Sequence, residues 1–154
     1  MPLPADPAAF IAEAERCVNE RDVEATAAAY ASDGRLEAFT DGALETYDGA
    51  EAIRRAWSGY LAAMDARGFT LKKRMTAIDG DTIVNEWSGS LGGRTEAEGI
   101  ERWTFDDHGK VREHRMYSYL NVKSSRSPLQ RLRLAFAYPA TALAFLREQR
   151  RAGD

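Results

Sequence analysis

The sequence predicts an α+β domain, and three observations indicate this class. Apolar residues recur at helical spacing through most of the N-terminal part, as far as Met64. From Gly68 to Leu120 the period changes to two, which is typical of half-buried strands. Pairs of Asp and Gly separate these segments and favour turns. Because the helices come before the long strands, the pattern predicts helices packed on an antiparallel sheet.

Two helices are predicted at the start of the chain. The apolar positions of the first helix lie at helical spacing: Phe10, Ile11, Ala14, Cys17 and Val18. Asp22 is suited to cap a second, shorter helix that carries Val23, Ala27 and Tyr30.

A short strand and a third helix are predicted next. Ser32-Asp33-Gly34 breaks the helical pattern, residues 36–39 resemble a short strand, and Asp41-Gly42 forms a turn. After Asp48-Gly49, one apolar stripe predicts a helix: Ile53, Trp57, Tyr60, Leu61 and Met64.

Four long strands are expected after Gly68. Residues 69–78 and 82–91 flank a turn at Asp79-Gly80-Asp81, and the runs on either side of Asp106-Asp107-His108-Gly109 predict a second hairpin. The charged run Lys72-Lys73-Arg74 is interpreted as the exposed face of a strand or a protected edge.

The C-terminal residues are predicted to form a separate extension. Residues 124–128 resemble a loop, and residues 129–151 return to helical spacing with a break at Pro139. The expected domains are therefore residues 8–121 and a helical extension over 122–154. Arginines make this extension basic and amphipathic, and packing on protein is favoured over binding a membrane surface.

Composition excludes several classes of function. The 21 Lys and Arg against 24 Asp and Glu give a net charge of -3, so no nucleic-acid partner is expected. One cysteine, Cys17, and two histidines exclude an internal disulfide and argue against a zinc site. The sequence shows neither a signal peptide nor a membrane-spanning run, so a cytoplasmic protein without stable membrane insertion is predicted.

Three segments carry a resemblance to a known family: Tyr30-Ala31-Ser32-Asp33-Gly34, residues 47–53 and Asp107-His108-Gly109-Lys110-Val111. With the element order, they resemble the nuclear transport factor 2-like superfamily, and most closely its SnoaL-like, polyketide cyclase-like branch. The resemblance implies a cone whose sheet wraps around the helices and encloses an apolar pocket. It also implies a homodimer formed sheet to sheet.

Residues required by three related enzyme groups are replaced in this chain. In the comparison with ketosteroid isomerases, Ala38 occupies the position of their catalytic base and Ala14 that of their first-helix tyrosine. Glu101 matches their oxyanion-binding acid. The catalytic set of limonene epoxide hydrolases becomes Met116, Glu86 and Ser88. The catalytic Asp of polyketide ester cyclases becomes Tyr119. The particular chemistry of each group is therefore not expected.

One side of the predicted sheet collects the candidate catalytic residues. The alignment places Glu101, His114 and Glu86 on the concave side, with His114 opposite Glu101. Two carboxyl groups in an apolar cavity repel each other, so one of them would keep its proton near neutral pH. The pocket walls are predicted from the same alternation: Trp57, Tyr60, Ser88, Trp103, Phe105, Met116 and Ser118.

These residues predict an acid/base enzyme that needs no cofactor. It would be an isomerase, cyclase or dehydratase acting on a small apolar, carbonyl-bearing or polycyclic molecule. Glu101 would be the acid or oxyanion donor, His114 the proton shuttle and Glu86 a second carboxylate. No phosphate loop, nucleophile elbow or metal-spaced pair of acids occurs in the sequence. The alternatives are a protein that binds a hydrophobic ligand without changing it, and an interaction module that docks a partner or membrane through its tail.

Overall fold

A computed structural model describes residues 3–93, 95–120 and 122, together with residues 136, 137, 139, 140 and 143. By internal contacts the chain divides into two units, Met1–Val122 and Lys123–Asp154. The predicted tail helix lies outside the described residues except at the five isolated positions, which are helical. The first unit holds all the other elements described below.

Three helices occupy one side of the first unit. Helix α1 spans Pro7–Glu20, α2 spans Val23–Ala28 and α3 spans Ala50–Ala66. Asp6 caps α1 by accepting a hydrogen bond from the Ala9 amide at 3.0 Å, and Asp22 caps α2 through the Ala25 amide at 2.9 Å. The predicted capping role of Asp22 is therefore confirmed. Within the described residues, no helix is long and apolar enough to cross a bilayer.

Six strands form a single curved sheet against which the helices pack. They are β1 (Tyr30–Thr40), β2 (Ala43–Asp48), β3 (Phe69–Asp79), β4 (Thr82–Leu91), β5 (Thr95–Phe105) and β6 (Val111–Tyr119). The order across the sheet is β2-β1-β6-β5-β4-β3. Strands β1 and β6 are parallel, and the other neighbours are antiparallel. This architecture confirms the predicted α+β cone.

The first two strands differ from the prediction. Tyr30 begins β1 and does not end α2, and β1 continues to Thr40 through the Ser32-Asp33-Gly34 segment. The pairing with β6 shifts register between Tyr30 and Arg35, which is how the strand accommodates those turn-forming residues. Strand β2 was not predicted, because it lies almost wholly exposed at the edge and lacks apolar alternation.

The core lies between the concave face of the sheet and the helices. Helix α1 packs on β3, α3 packs on β1 and β2, and α2 packs on α3. Large, fully buried side chains hold these layers together: Leu36, Ile53, Leu61, Phe69, Ile83, Phe105 and Val111.

Candidate functional site

Strands β5 and β6 place their predicted residues on the concave side. Glu101, Trp103 and Phe105 of β5 are buried there, as are His114 and Met116 of β6. Cross-strand partners are Trp103 with His114 and Glu101 with Met116. The prediction that His114 lies directly opposite Glu101 is therefore wrong. His114 lies opposite Trp103, two residues further along β5, and is a diagonal neighbour of Glu101.

Strand β4 has the opposite parity to the prediction. Glu86 and Ser88 face the convex side, while Asn85 and Trp87 are buried on the concave side. The Glu86 side chain is 50% exposed and accepts a hydrogen bond from Arg74 at 2.6 Å. Because Glu86 and Glu101 lie on opposite faces, the expected repulsion between them does not arise, and Glu86 is not part of an interior site.

The buried Glu101 carboxylate is held by two other residues. Its Oε2 atom accepts hydrogen bonds from the Lys73 ammonium and from Asn85 Nδ2, the latter at 2.8 Å. Asn85 is itself oriented by Trp103, whose Nε1 donates to Asn85 Oδ1 at 2.6 Å. Oε1 makes no hydrogen bond within the described residues. One oxygen of Glu101 is thus fixed, and the other is available.

Lys73 is a functional candidate that the sequence analysis did not identify, as are Asn85, Tyr30 and Glu45. Its side chain is 1% exposed, although both of its neighbours, Lys72 and Arg74, are well exposed at the sheet edge. The signal was present, because Phe69 and Leu71 precede Lys73 at two-residue intervals and are buried. Strand alternation places Lys73 with them and opposite to the charges beside it.

His114 ends a second chain of hydrogen bonds. Trp57 Nε1 donates to Tyr30 Oη at 3.0 Å, and Tyr30 Oη lies 2.6 Å from His114 Nδ1. The tyrosine hydroxyl has one proton and already accepts from Trp57, so we assign it as the donor to His114 Nδ1. The histidine proton then lies on Nε2, which has no hydrogen-bond partner within the described residues and faces Glu101 Oε1 at 3.8 Å.

Burial keeps the His114 imidazole neutral. Its ring stacks on Trp103 with centroids 3.4 Å apart. The Trp57 ring lies nearly parallel to the imidazole, with centroids 6.3 Å apart. Desolvation, together with the nearby Lys73 charge, lowers the pKa of His114 well below its usual value. Burial also raises the pKa of Tyr30 well above its usual value, so that its hydroxyl remains a donor. A shuttle that changes charge near neutral pH, as predicted for His114, does not fit this environment.

An apolar cavity of about 340 Å³ opens beside Glu101. Besides Glu101, four of the predicted wall residues line it, namely Trp57, Tyr60, Met116 and Ser118. Trp103 and Phe105 do not line this cavity, because they pack edge-on against Phe10 of α1. The remaining lining residues are Val18, Thr40, Ala43, Glu45, Met64, Phe69, Leu71, Trp87 and Leu120. The volume suits a small organic molecule.

A polar group lies at the exposed end of the cavity. Tyr60 Oη donates to Glu45 Oε2 at 2.7 Å and lies 3.4 Å from the Tyr47 hydroxyl. Burial raises the pKa of Tyr60 far above its usual value, with Tyr47 and Glu45 contributing, so that the phenol keeps its proton. Across the described part of the chain, no three His, Cys, Asp or Glu side chains converge as metal ligands.

Comparison with known proteins gives the family. The model of the SnoaL-like domain matches residues 11–114, and the chain therefore belongs to the SnoaL-like domain family. No curated protein matches the sequence.

Solved structures share the fold at low identity. One is the epoxide hydrolase/cyclase-like enzyme SalBIII of pyran ring formation in salinomycin, at 20% identity over 72% of this chain and 88% of that chain, with a TM-score of 0.57. A steroid delta-isomerase from Pseudomonas aeruginosa is 24% identical over 99% of this chain and 96% of its own, with a TM-score of 0.57. A SnoaL-like protein of unknown function from Burkholderia thailandensis is 17% identical over 75% of this chain and 98% of its own, at a TM-score of 0.60. At these identities the likeness shows the nuclear transport factor 2-like cone alone.

Proposed function

We propose that this protein is a cofactor-independent acid/base enzyme, an isomerase, cyclase or dehydratase, acting on a small apolar molecule that carries a carbonyl group. The observation that supports this most strongly is the Glu101 carboxylate at the wall of an apolar cavity. One of its oxygens is fixed by Lys73 and Asn85, and the other makes no hydrogen bond within the described residues. A fixed carboxylate with one available oxygen is suited to accept a proton.

The reaction would take place at Oε1 of Glu101. Apolar walls would lower the local dielectric constant around a bound molecule, which strengthens its interaction with the carboxylate. Oε1 would take a proton from the carbon next to the substrate carbonyl, which leaves an enolate. Return of that proton to another atom completes an isomerisation, and its transfer to a departing hydroxyl group completes a dehydration. Lys73 would compensate the carboxylate charge before Oε1 takes the proton and again after the proton has left it.

His114 would act as a positioning residue. Its Nε2 atom is buried and lies 3.8 Å from Glu101 Oε1, and His114 is not among the residues that line the cavity. A neutral imidazole donates from Nε2 without adding a charge. Tyr30 and Trp57 hold the tautomer that makes this possible.

A second candidate function is binding of a hydrophobic ligand without chemistry. It is favoured by the charge balance of Glu101, which is 4% exposed and already paired with Lys73. A carboxylate committed to an ion pair can shape a pocket without exchanging protons. Unchanged ligand recovered after long incubation would support this function over the enzyme.

The test is a screen of small carbonyl compounds with three variants beside the wild type. Glu101→Gln removes the proton acceptor, and Lys73→Met/Glu101→Gln also removes the cation that Glu101→Gln leaves unpaired. Glu86→Gln, on the convex face, is the matched control. We expect turnover to fall by roughly a hundredfold or more in both Glu101 variants and to be unchanged in the control. Full turnover in a folded Glu101→Gln protein would refute the proposal.

The homodimer and the cytoplasmic location are also proposed. Apolar side chains on the convex face support a sheet-to-sheet dimer, since Ile100, Tyr117 and Tyr119 are 48%, 39% and 57% exposed. Light scattering of the wild type and of Ile100→Lys tests the dimer, and a wild-type protein that is monomeric at high concentration would exclude it.

A further inference from the structure

The charges that line the cavity are of one sign. Its ionisable lining side chains among the described residues are Glu45, Glu101 and the phenol of Tyr60, and no Lys, Arg or His is among them. Lys73 balances Glu101 but lies outside the lining of this cavity. A bound molecule therefore meets carboxylates at two places and an ammonium or guanidinium group at none of the described lining positions.

Glu45 lines the cavity and is held by its neighbour Tyr60. Tyr60 Oη donates to its Oε2 atom at 2.7 Å, while Oε1 makes no hydrogen bond within the described residues. Tyr60 is in turn fixed against Trp57, with ring centroids 5.9 Å apart in an edge-on arrangement. At the exposed end of the cavity, Glu45 Oε1 is therefore a hydrogen-bond acceptor that has no donor among the described residues.

Aromatic walls add to this preference. Trp57, Tyr60, Phe69 and Trp87 all line the cavity, and the faces of aromatic rings attract cations. Two carboxylates and four aromatic rings together favour groups that donate a proton and disfavour groups that carry negative charge.

We infer that the ligand of this cavity is an apolar molecule carrying a proton-donor group, either a hydroxyl or a protonated amine, at the end that meets Glu45. Molecules with a carboxylate or phosphate at that end bind more weakly. This inference relies on the proposed function only in taking the cavity as the substrate site. It goes further by naming the chemical class that the site accepts.

Three ligands with one skeleton test the inference. Naphthylmethanol, naphthylmethylamine and naphthoate differ only in the polar group, and their binding is measured by quenching of tryptophan fluorescence, since Trp57 and Trp87 line the cavity. The alcohol and the amine are expected to bind about tenfold or more tightly than naphthoate at low salt. If the amine binds more tightly than the alcohol, charge attraction dominates; if the two bind equally, hydrogen bonding dominates. Either result supports the inference. Naphthoate binding as tightly as the others, or no binding of any of the three, would overturn it.

Two variants assign the preference to Glu45. Glu45→Gln should reduce the ratio of the binding affinities for naphthylmethylamine and naphthoate by about twofold to fivefold. The effect is modest because Glu45 is exposed and contributes as a surface charge. Glu86→Gln should leave the ratio unchanged. An unchanged affinity ratio in Glu45→Gln would overturn the inference that the donor group of the ligand meets Glu45. The readout is binding alone, so an intact charge preference with full turnover in Glu101→Gln would reject the proposed enzyme and leave this inference standing.

Discussion

Removing Lys73 tests the interior site most directly. Lys73→Met keeps the length of the side chain but leaves the Glu101 carboxylate buried without its cation. Breaking a buried ion pair from one side costs about 3–5 kcal/mol, because the remaining charge is uncompensated. For a chain of 154 residues, this loss lowers the melting temperature by roughly 10 °C. Glu101→Gln should cost a similar amount, since it leaves the Lys73 ammonium unpaired.

The double variant carries the decisive information. Lys73→Met/Glu101→Gln removes both charges and keeps a carbonyl oxygen that can accept the Asn85 hydrogen bond. It should therefore be more stable than either single variant, with a coupling energy of about 3 kcal/mol or more. Urea unfolding of all four proteins measures this cycle.

The neighbouring exposed pair provides the control. Arg74 follows Lys73 on β3 and pairs with Glu86 on the adjacent strand β4, and their side chains are 74% and 50% exposed. The cycle of Arg74→Met and Glu86→Gln should give a coupling energy below about 1 kcal/mol. If the costs of Lys73→Met and Glu101→Gln simply add, Lys73 and Glu101 do not form a buried ion pair.

Three further predictions concern other parts of the fold. The pKa of His114 is lowered well below its usual value in the folded protein, whereas in the unfolded chain the imidazole takes up a proton below its ordinary pKa of about 6.5. As the pH falls below this value, the free energy of unfolding of the wild type should therefore decrease by up to about 1.4 kcal/mol per pH unit more than that of His114→Asn. His108→Asn, at the exposed turn, should keep the wild-type pH slope in urea unfolding. Gly99→Ala should destabilise by roughly 1–3 kcal/mol or more, because a Cβ there would lie 2.2 Å from the Tyr117 carbonyl oxygen. Gly59→Ala, in helix α3 with open space around it, should instead stabilise the folded state by up to about 1 kcal/mol. Thermal melts of both glycine variants measure these effects. Burial raises the pKa of Cys17 to about 11, so iodoacetamide at pH 8 should label it only after unfolding; rapid labelling of the folded protein would contradict this.

The long strands could be predicted because their signals are local. Strand β4 was predicted over the residues it occupies, 82–91, and the hairpin turn at Asp106 separates β5 and β6 as expected. Strand β2 could not be found in this way, because an exposed edge strand needs no alternating apolar pattern. Its presence depends on pairing with β1, which is a long-range property.

The parity of β4 shows where resemblance misled and physics would have helped. Alignment to an enzyme family placed Glu86 inside. Ile83 lies two residues before Asn85 and Trp87 two residues after it, so all three side chains share one face of the strand. Burial of the large Trp87 side chain determines that this face is the inner one. A polar residue at the centre of an apolar stripe masked the alternation. Asn85 is buried without penalty because Trp103 and Glu101 satisfy its amide group.

The pairing of Lys73 with Glu101 needs a reason other than stability. A cone filled at these positions with apolar side chains of similar volume would be as stable or more so, because a buried ion pair rarely repays the loss of hydration. The arrangement also leaves Oε1 of Glu101, a residue that lines an apolar cavity, without a hydrogen bond inside the described residues, and the same holds for His114 Nε2, 3.8 Å away. Unmatched groups of this kind are costly in a core and useful in a site. The double variant separates the two: a protein of wild-type stability that neither turns over nor binds the wild-type ligand would show that these charges serve the cavity.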